Sequence, residues 1–417
     1  MARAQGARSQ LAAAFESVYG TAPGSGFTKL PFASITLGSA QPLLASELLG
    51  YGRDPLAPIK DAVTTDGDIV VPLDAEGLGY WLKAAFGAPT TTGSGVATGT
   101  IIFSDNPDPG DTITLGGTVW TFVSSSPSSA ETEIDGTLTD TLTALVLDLN
   151  NSADTEIAKC TYSVSDGDTI EITFDVSGAA GNAFTIAASA AAPSGASLAG
   201  GGSSHVFKSG SWALPSLAIE KGLPDVPRFE MFTGCVVNSL SWQMQRSGLL
   251  TGTVNIIAQG EASGTSSVAG TLGDITLARF GHFNGSIKRE GAALGNVIST
   301  EITYSNNLDR IETIRADGKI DGADPSMATL TGSTVMRFAD TTLLQQALDG
   351  DPCELEFAYA VGGNSFSLVA HAVYLPRPRV EISGPAGVQV TLEWQAALDP
   401  VEGQMCTATL VNGVGAY

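Results

Sequence analysis

The sequence predicts a mainly β protein of two similar parts, with short helices beside the strands and a small α+β module set into the first part. Three observations predict it. The first is the stretch 236–259, VVNSLSWQMQRSGLLTGTVNIIAQ. Val236, Leu240, Trp242 and Met244 fall on one face of an extended chain, and Ser239, Ser241, Gln243 and Gln245 on the other. After Arg246-Ser247-Gly248 the alternation resumes, with Leu250, Val254, Ile256 and Ala258 against Thr251, Thr253, Asn255 and Gln259. Two period-two runs joined by a turn read as an antiparallel hairpin with one dry face. Its other face is polar yet almost free of charge, which suits a surface that meets something other than bulk water.

The second observation is that this pattern returns 136 positions later, where GPAGVQVTLEWQ at 384–395 lies under 248–259 without a gap. Val390, Leu392 and Trp394 take the dry positions, and Gln389, Thr391, Glu393 and Gln395 the polar ones. A fainter match sets GDIVV at 67–71, with a helix-like run to FGAP at 86–89, against GSTVM at 332–336 with a run to DGDP at 349–352; it needs a two-residue gap. The third observation is a change of character between PTTTGSG at 89–95 and SLAGGGSS at 197–204. Between these joints Lys159 is the only base, against fourteen acids. Flexible Gly/Ser joints at both ends suit an inserted domain, whose two termini must meet at one loop of its host. The organisation expected is an N-terminal arm at 1–30, a first host domain at 31–95 and 204–262, an inserted acidic domain at 96–203 lying on the outside, and a second host domain at 270–417.

Taken in order, residues 5–19 are expected to form a short helix with Leu11, Phe15 and Val18 along one side, ended by GTAPGSG at 20–26. A strand follows at 31–37, then a Pro-interrupted projecting loop at 41–61. Next come a strand at 67–73 and a helix at 74–86 that turns Leu78, Trp81, Leu82 and Ala85 inward, with Asp74 as N-cap. The module reads as strands at 99–104, 111–115 and 118–123, a helix at 139–150, and strands at 157–164, 169–176 and 183–188. Beyond it lie strand-like runs at 205–207 and 212–220, a Pro-rich loop at 222–228, the hairpin, and a Gly/Ser linker at 259–272. The second part reads as strands at 283–288 and 297–304, a loop at 306–324, a strand at 334–338, a helix at 340–349, strands at 354–360 and 366–374, and the closing hairpin.

The chain has 417 residues, and 43 acids against 20 bases give a net charge of -23. That balance excludes a protein that grips nucleic acid by clustered Lys and Arg. It suits one that lets DNA pass, or one kept dispersed by its own charge. Cys160, Cys235, Cys353 and Cys406 stand singly and read as buried thiols of a reducing compartment. No apolar run approaches the ~20 residues of a membrane span, and the N-terminus lacks the apolar core of a secretory signal. His205, His282 and His371 have no metal-ligand spacing and read as core or interface residues. DNPDPGD at 105–111 and SDGD at 165–168 do not keep the EF-hand order and read as turns, while Gly93-Ser94-Gly95 does not lead from a strand into a helix as a phosphate loop must. No catalytic, cofactor or metal residue is named, and no cofactor is expected.

Longer runs carry a family resemblance. ARAQGARSQLAAAFESVYGTAP with GFTKLPFAS, QPLLASELLGYGRDPLAPI, GLGYWLKAAFGAPTTTG, LSWQMQRSGLLTGTVNIIAQGEA, ITYSNNLDRIETIRADGKIDGADPS, RFADTTLL and AHAVYLPRPRV through MCTATLVNGVGAY resemble the tail tube proteins of long-tailed, non-contractile bacteriophages. The resemblance covers most of 1–93 and 204–417, whereas 96–200 is similar instead to small decoration domains of phage tail proteins. It implies β-sandwich, barrel-forming tube domains with a flanking helix, whose inner sheets join between neighbours around a DNA channel. It implies a structural virion protein of the tail, made in the host bacterial cytoplasm and not an enzyme. Its partners would be itself, other tail proteins such as terminator, tape measure and distal tail protein, and double-stranded DNA in transit, with no membrane.

Under that resemblance the polar faces are expected to line the channel through Ser239, Ser241, Gln243, Gln245, Thr251, Thr253, Asn255, Gln389, Thr391, Glu393 and Gln395. Rings are expected to stack through the arm at 4–18, by Leu11 and Phe15, and through the loops at 50–59 and 307–318, by Arg53, Asp54, Arg310, Glu312 and Arg315. Six tube domains close such a channel, so two per chain imply a trimeric ring with pseudo-sixfold symmetry. The competing outcome is a hexamer with one elaborated tube domain per chain. A secreted adhesion or carbohydrate-binding sandwich is the other class of protein that this composition fits; the missing site disfavours a hydrolase.

Overall fold

A computed structural model of the chain describes residues 3–339, 341–380, 382 and 384–417. It is mainly β, with far more strand than helix and three α-helices among the described residues, and it divides into two compact units. The first comprises Met1–Pro89 and Val206–Leu410, the second Thr90–His205 and Val411–Tyr417.

In the first unit the long strand Arg228–Gln245 organises the rest. Its first half pairs with Leu217–Leu223 and Gly260–Gly264, and its second half with Thr251–Ala258 and Val297–Ser305. The change of partners comes at a register shift between Val237 and Ser239, a bulge of the kind that bends a strand from one sheet into another. A continuous antiparallel sheet results. Its order is the short edge strands Ser34–Ile35 and Gly38–Ala40, then Thr64–Pro72, Thr251–Ala258, residues 236–245, Val297–Ser305, Thr329–Arg337 and Gln389–Ala397. Its dry face is buried at Ile69, Val71, Leu240, Trp242, Val254, Ile256, Ile302, Tyr304, Leu392 and Trp394. Phe366 meets Trp242 edge-on at 5.8 Å, Phe357 stacks on Trp394 at 5.5 Å, and Phe86 of the helix Gly77–Phe86 stacks on Tyr304 at 4.2 Å. Each such side chain is worth about 1.5–3 kcal/mol in burial, so the covered face fixes the register of the whole sheet.

The two halves of this sheet are built alike, position for position. Ser34 pairs with Val70, Gly38 with Asp66 and Ala40 with Thr64; residues 265 further on, Ser299 pairs with Val335, Thr303 with Thr331 and Ser305 with Thr329. The small hairpin that pairs Leu44 with Ile59 returns as Asp309 with Asp324, and the helix that starts at Gly77 returns at Thr342. The hairpins correspond too. Thr253 pairs with Val70 and Thr391 with Val335, which puts the second hairpin 138 positions after the first. The alignment by sequence places it at 136. A two-residue slip leaves every side chain on its face, so the assignment of faces is unaffected. The two-residue gap in the fainter match falls in the helices, ten residues in Gly77–Phe86 and eight in Thr342–Asp349. Gln10–Phe15, beside Leu217–Leu223, likewise matches Gly285–Arg289, beside Cys353–Val361.

That last match corrects the expected N-terminal helix. Residues 6–8 form one 3-10 turn and Gln10–Phe15 is a strand, because the run Leu11-Ala-Ala-Ala14 is buried on both faces between Leu217–Leu223 and Thr28–Lys29. Pairing overrides the helix propensity of alanine. The expected linker at 259–272 contains the strand Gly260–Gly264, and of the strand expected at 31–37 only Ser34–Ile35 is one, with a second short strand at Gly38–Ala40 beyond it. The helix start expected at 340 falls on Asp340, outside the described residues. Asp74 lies two residues before the N-cap position but does the capping, accepting from the amides of Glu76 at 3.0 Å and Gly77 at 2.7 Å. Burial raises its carboxyl above the ordinary value.

The second unit contains two four-stranded sheets and the helix Leu138–Asn150 around one core, in which Trp120, Phe122, Leu142, Leu145, Tyr162 and Ile172 are buried. Thr137 caps that helix through the amide of Asp140. Its glycine-rich ends are not loose joints. The Ser94 amide donates to the Gly202 carbonyl at 2.8 Å, and Asn182 bonds both the amide and the carbonyl of Gly201. A Cβ on Gly93 would meet Ser177 at 2.5 Å, and one on Gly201 would meet the Gly178 carbonyl at the same distance. Close approach of backbones, rather than flexibility, is what these glycines allow. His205 is buried here between Thr91 and the carbonyl of Val414, with its pKa lowered by burial.

Gly332 offers a direct test of the sheet. Its added Cβ would lie 2.2 Å from the Trp394 ring and 2.3 Å from the Glu301 carbonyl. We expect Gly332→Ala to lower stability by about 1–3 kcal/mol in chemical denaturation. An unchanged unfolding midpoint would mean that the Trp394 ring does not cross this glycine.

Candidate functional site

The sheet's other face is open and polar. All eleven residues expected on the polar face share it, with Ser239, Ser241, Thr251, Thr253 and Asn255 half-buried and Gln243, Gln245, Gln389, Thr391, Glu393 and Gln395 exposed. The ladders bring more residues to it by parity. Asp66, Asp68 and Val70 come from Thr64–Pro72, Ser299, Glu301, Thr303 and Ser305 from Val297–Ser305, and Thr331, Ser333 and Arg337 from Thr329–Arg337. One row runs Val70, Thr253, Ser241, Thr303, Thr331, Gln395 across six strands. Side chains bond along such rows. Asn255 donates to Asp68 at 2.7 Å and Ser333 to Glu393 at 3.0 Å.

These additions were partly legible. Glu301 and Thr303 alternate with Ile302 and Tyr304 in the same period of two, whereas the unbroken Ile69-Val70-Val71 hides the alternation of its strand. They also correct the picture of a face without cations. Arg337 stands on it beside Gln389, and Arg246 follows Arg228–Gln245, two strands away, at the same end. The acids Asp66, Asp68, Glu301 and Glu393 still outnumber the bases among the described residues of the face.

The residues expected at stacking contacts are dispersed. Leu11 is buried in its own unit, and Phe15 lies against Tyr80, with the Lys83 ammonium 4.2 Å above its ring. Neither belongs to a free arm. Arg310 pairs with Asp66, and Arg315 with Asp317 at 3.0 Å and Asp321 at 2.7 Å, so both are held inside the chain. Arg53, Asp54 and Glu312 are exposed on the two loops. At the loop tips Leu49 is 92% and Ile314 108% exposed, and these are matching positions of the two hairpins.

Among the described residues no group of three His, Cys, Asp or Glu could hold a metal. His371 bonds Thr407 at 2.8 Å, and His282 accepts from the Gln245 amide at 3.3 Å. All four cysteines are buried, and burial pushes the Cys160 and Cys406 thiols up to about 12. What the geometry offers is an extended, water-wettable wall of fixed register.

A family model described as phage tail tube protein matches residues 6–396. No curated protein matches the chain.

Neighbouring residues test the two faces. Leu392→Ala is expected to cost about 2–5 kcal/mol, whereas Thr391→Ala stays within about 0.5 kcal/mol in the same urea titration. Equal losses would break the assignment of faces.

Proposed function

Because the chain belongs to the phage tail tube protein family, we propose that stacked rings of it form the tube of a long, non-contractile tail, with the polar sheet face lining the channel for DNA. The observation that carries this reading is the single sheet with one sealed and one polar face. A sheet with these properties closes into a barrel when copies join edge to edge. The matching registers of 34–72 and 299–337 support two tube domains per chain, with residues 90–205 inserted between the first helix and the strand Leu217–Leu223 as a decoration domain. Three chains then supply six tube domains. The exposed loop tips, with Arg53, Asp54 and Glu312, are the segments left to meet the next ring. The expected location is the virion tail, with terminator, tape measure and distal tail proteins at its ends. Native mass measurement of isolated rings should give three chains, and six would overturn the two-domain ring.

Duplex DNA carries one charge per ~1.7 Å of axis, so a cation repeated ring after ring would hold it by summed phosphate contacts. A wall with few cations and several acids leaves the DNA in its own hydration layer. Changing Gln243, Thr253 and Gln389 together to Lys is expected to permit tube assembly but slow genome delivery, more so at low salt. Delivery at the normal rate from tubes of normal length would exclude this role for the face.

A further inference from the structure

The junction between the two halves of the sheet is a template for one between copies. Within the chain, residues 239–245 of the first half pair with 299–305 of the second, and the loop 306–328 folds back over the first half. There Val63 donates to the Gly318 carbonyl at 2.8 Å, Asn238 accepts from the Leu308 amide at 3.0 Å, and Ile257 packs with Ile320, Ala323 and Leu308. Arg310 pairs with Asp66, and Gln259 donates to the Asp321 carbonyl.

Each part of this junction has a counterpart that carries no matching strand or loop among the described residues. By the 138-position match, residues 239–245 correspond to 377–383, a stretch in which Val380 is 38% and Ile382 79% exposed. Pro376 and Pro378 hold the residues before them extended. By the 265-position match, 299–305 corresponds to the edge 34–40. Among the described residues that edge pairs on one side only, and charged side chains blunt it: Lys221 takes the Leu37 carbonyl at 3.1 Å, and Glu261 the Ser39 amide at the same distance. The surface that loop 306–328 covers in the first half corresponds, in the second, to an open groove that includes Ala328, Thr331, Gln395 and Ala397. The loop at 41–63, the counterpart of 306–328, exposes Leu43 at 63% and Leu56 at 40%.

We propose, building on the ring reading above, that a second copy of this chain supplies both missing partners: its residues 37–40 pair with 377–380, and its loop 41–63 lies in the groove at Ala328, Thr331, Gln395 and Ala397. The register follows from the template. Ser239 opposite Ser305 becomes Arg377 opposite the second copy's Ala40, and Trp242 opposite Ile302 becomes Val380 opposite its Leu37. The two sides change together. The ion pair of Arg310 and Asp66 becomes Ala45 and Thr331, and Gln259 with Asp321 becomes Ala397 with Leu56, so at both places charge or hydrogen-bonding capacity is reduced on the loop and on the groove together. The apolar set Leu308, Ile320 and Ala323 becomes Leu43, Pro55 and Pro58. Arg377 comes next to Glu393 in the row matching Ser239 and Asn255, and Arg379 lies opposite the second copy's Gly38, itself the partner of Asp66. Gln395, matching the covered Ile257, leaves the channel wall and lies beneath the loop.

Paired cysteines test the register. Ala40→Cys with Arg377→Cys should link copies under oxidation, so that assembled material runs as covalent multimers on a non-reducing gel. Ser239→Cys with Ser305→Cys, opposite each other within the chain, is the matched control and should link inside one chain only. The buried native cysteines do not compete. Assembly with the control link formed but no link between copies would overturn the proposal and leave the tube reading standing. Failure of the unmodified chain to form rings would remove both. Leu43→Asp with Leu56→Asp should keep the circular dichroism of the folded chain and reduce assembly at least tenfold by sedimentation. Normal assembly of that variant would refute the loop's place in the groove.

Discussion

The ladder between residues 239–245 and 299–305 is the constraint on which the rest of the architecture depends. It is the only stretch among the described residues where the hairpin of the first half meets the second half strand to strand. Without it the first unit would hold two separate sheets, each with an exposed edge and a polar face too narrow to be a wall. With it, parity set in one hairpin carries across to the strands of the other half. The bulge after Val237 makes this possible, because it lets one strand of eighteen residues pair with Leu217–Leu223 and Gly260–Gly264 along its first half and with Thr251–Ala258 and Val297–Ser305 along its second.

The open face shows how little side-chain chemistry such a wall needs. Some of its side chains bond to a neighbour in the same row, as Asn255 does to Asp68 and Ser333 to Glu393. Short Ser and Thr side chains lose little rotamer freedom there. Charge on it is mostly acidic, with Asp66 held by Arg310 and Glu301 and Glu393 on either side of Ser333, and Arg337 stands at one end.

Much of this was legible in the sequence because one face of each hairpin is dry. Trp242 and Trp394 announce the sealed side, and period two assigns the rest. The same period explains why the repeat was aligned two residues off: in VQVTLEW every second position looks alike, so a slip of two costs nothing in pattern. Leu11-Ala-Ala-Ala14 misled for the opposite reason. A run that is apolar all round carries no period, and only its two neighbouring strands make it a strand. The glycines at 93–95 and 200–202 look like slack in composition but are contact points in three dimensions, a distinction that depends on the backbone opposite them. Arg337 escaped notice because its face is decided by its pairing with Gln389, which lies fifty-two positions away.

The two helices of the first unit end alike, each on a glycine of positive φ, Gly87 at 94° and Gly350 at 74°. After the second helix the chain reaches its next strand through Gly350, Asp351 and Pro352 alone, whereas after the first it travels through a whole domain before Leu217. The ladders on either side are the same in both halves. The helix end is therefore a permissive seam, a place where chain length is decoupled from the geometry of the sheet. The second seam is still closed by three residues, and a segment added there would leave the ladders on either side in register.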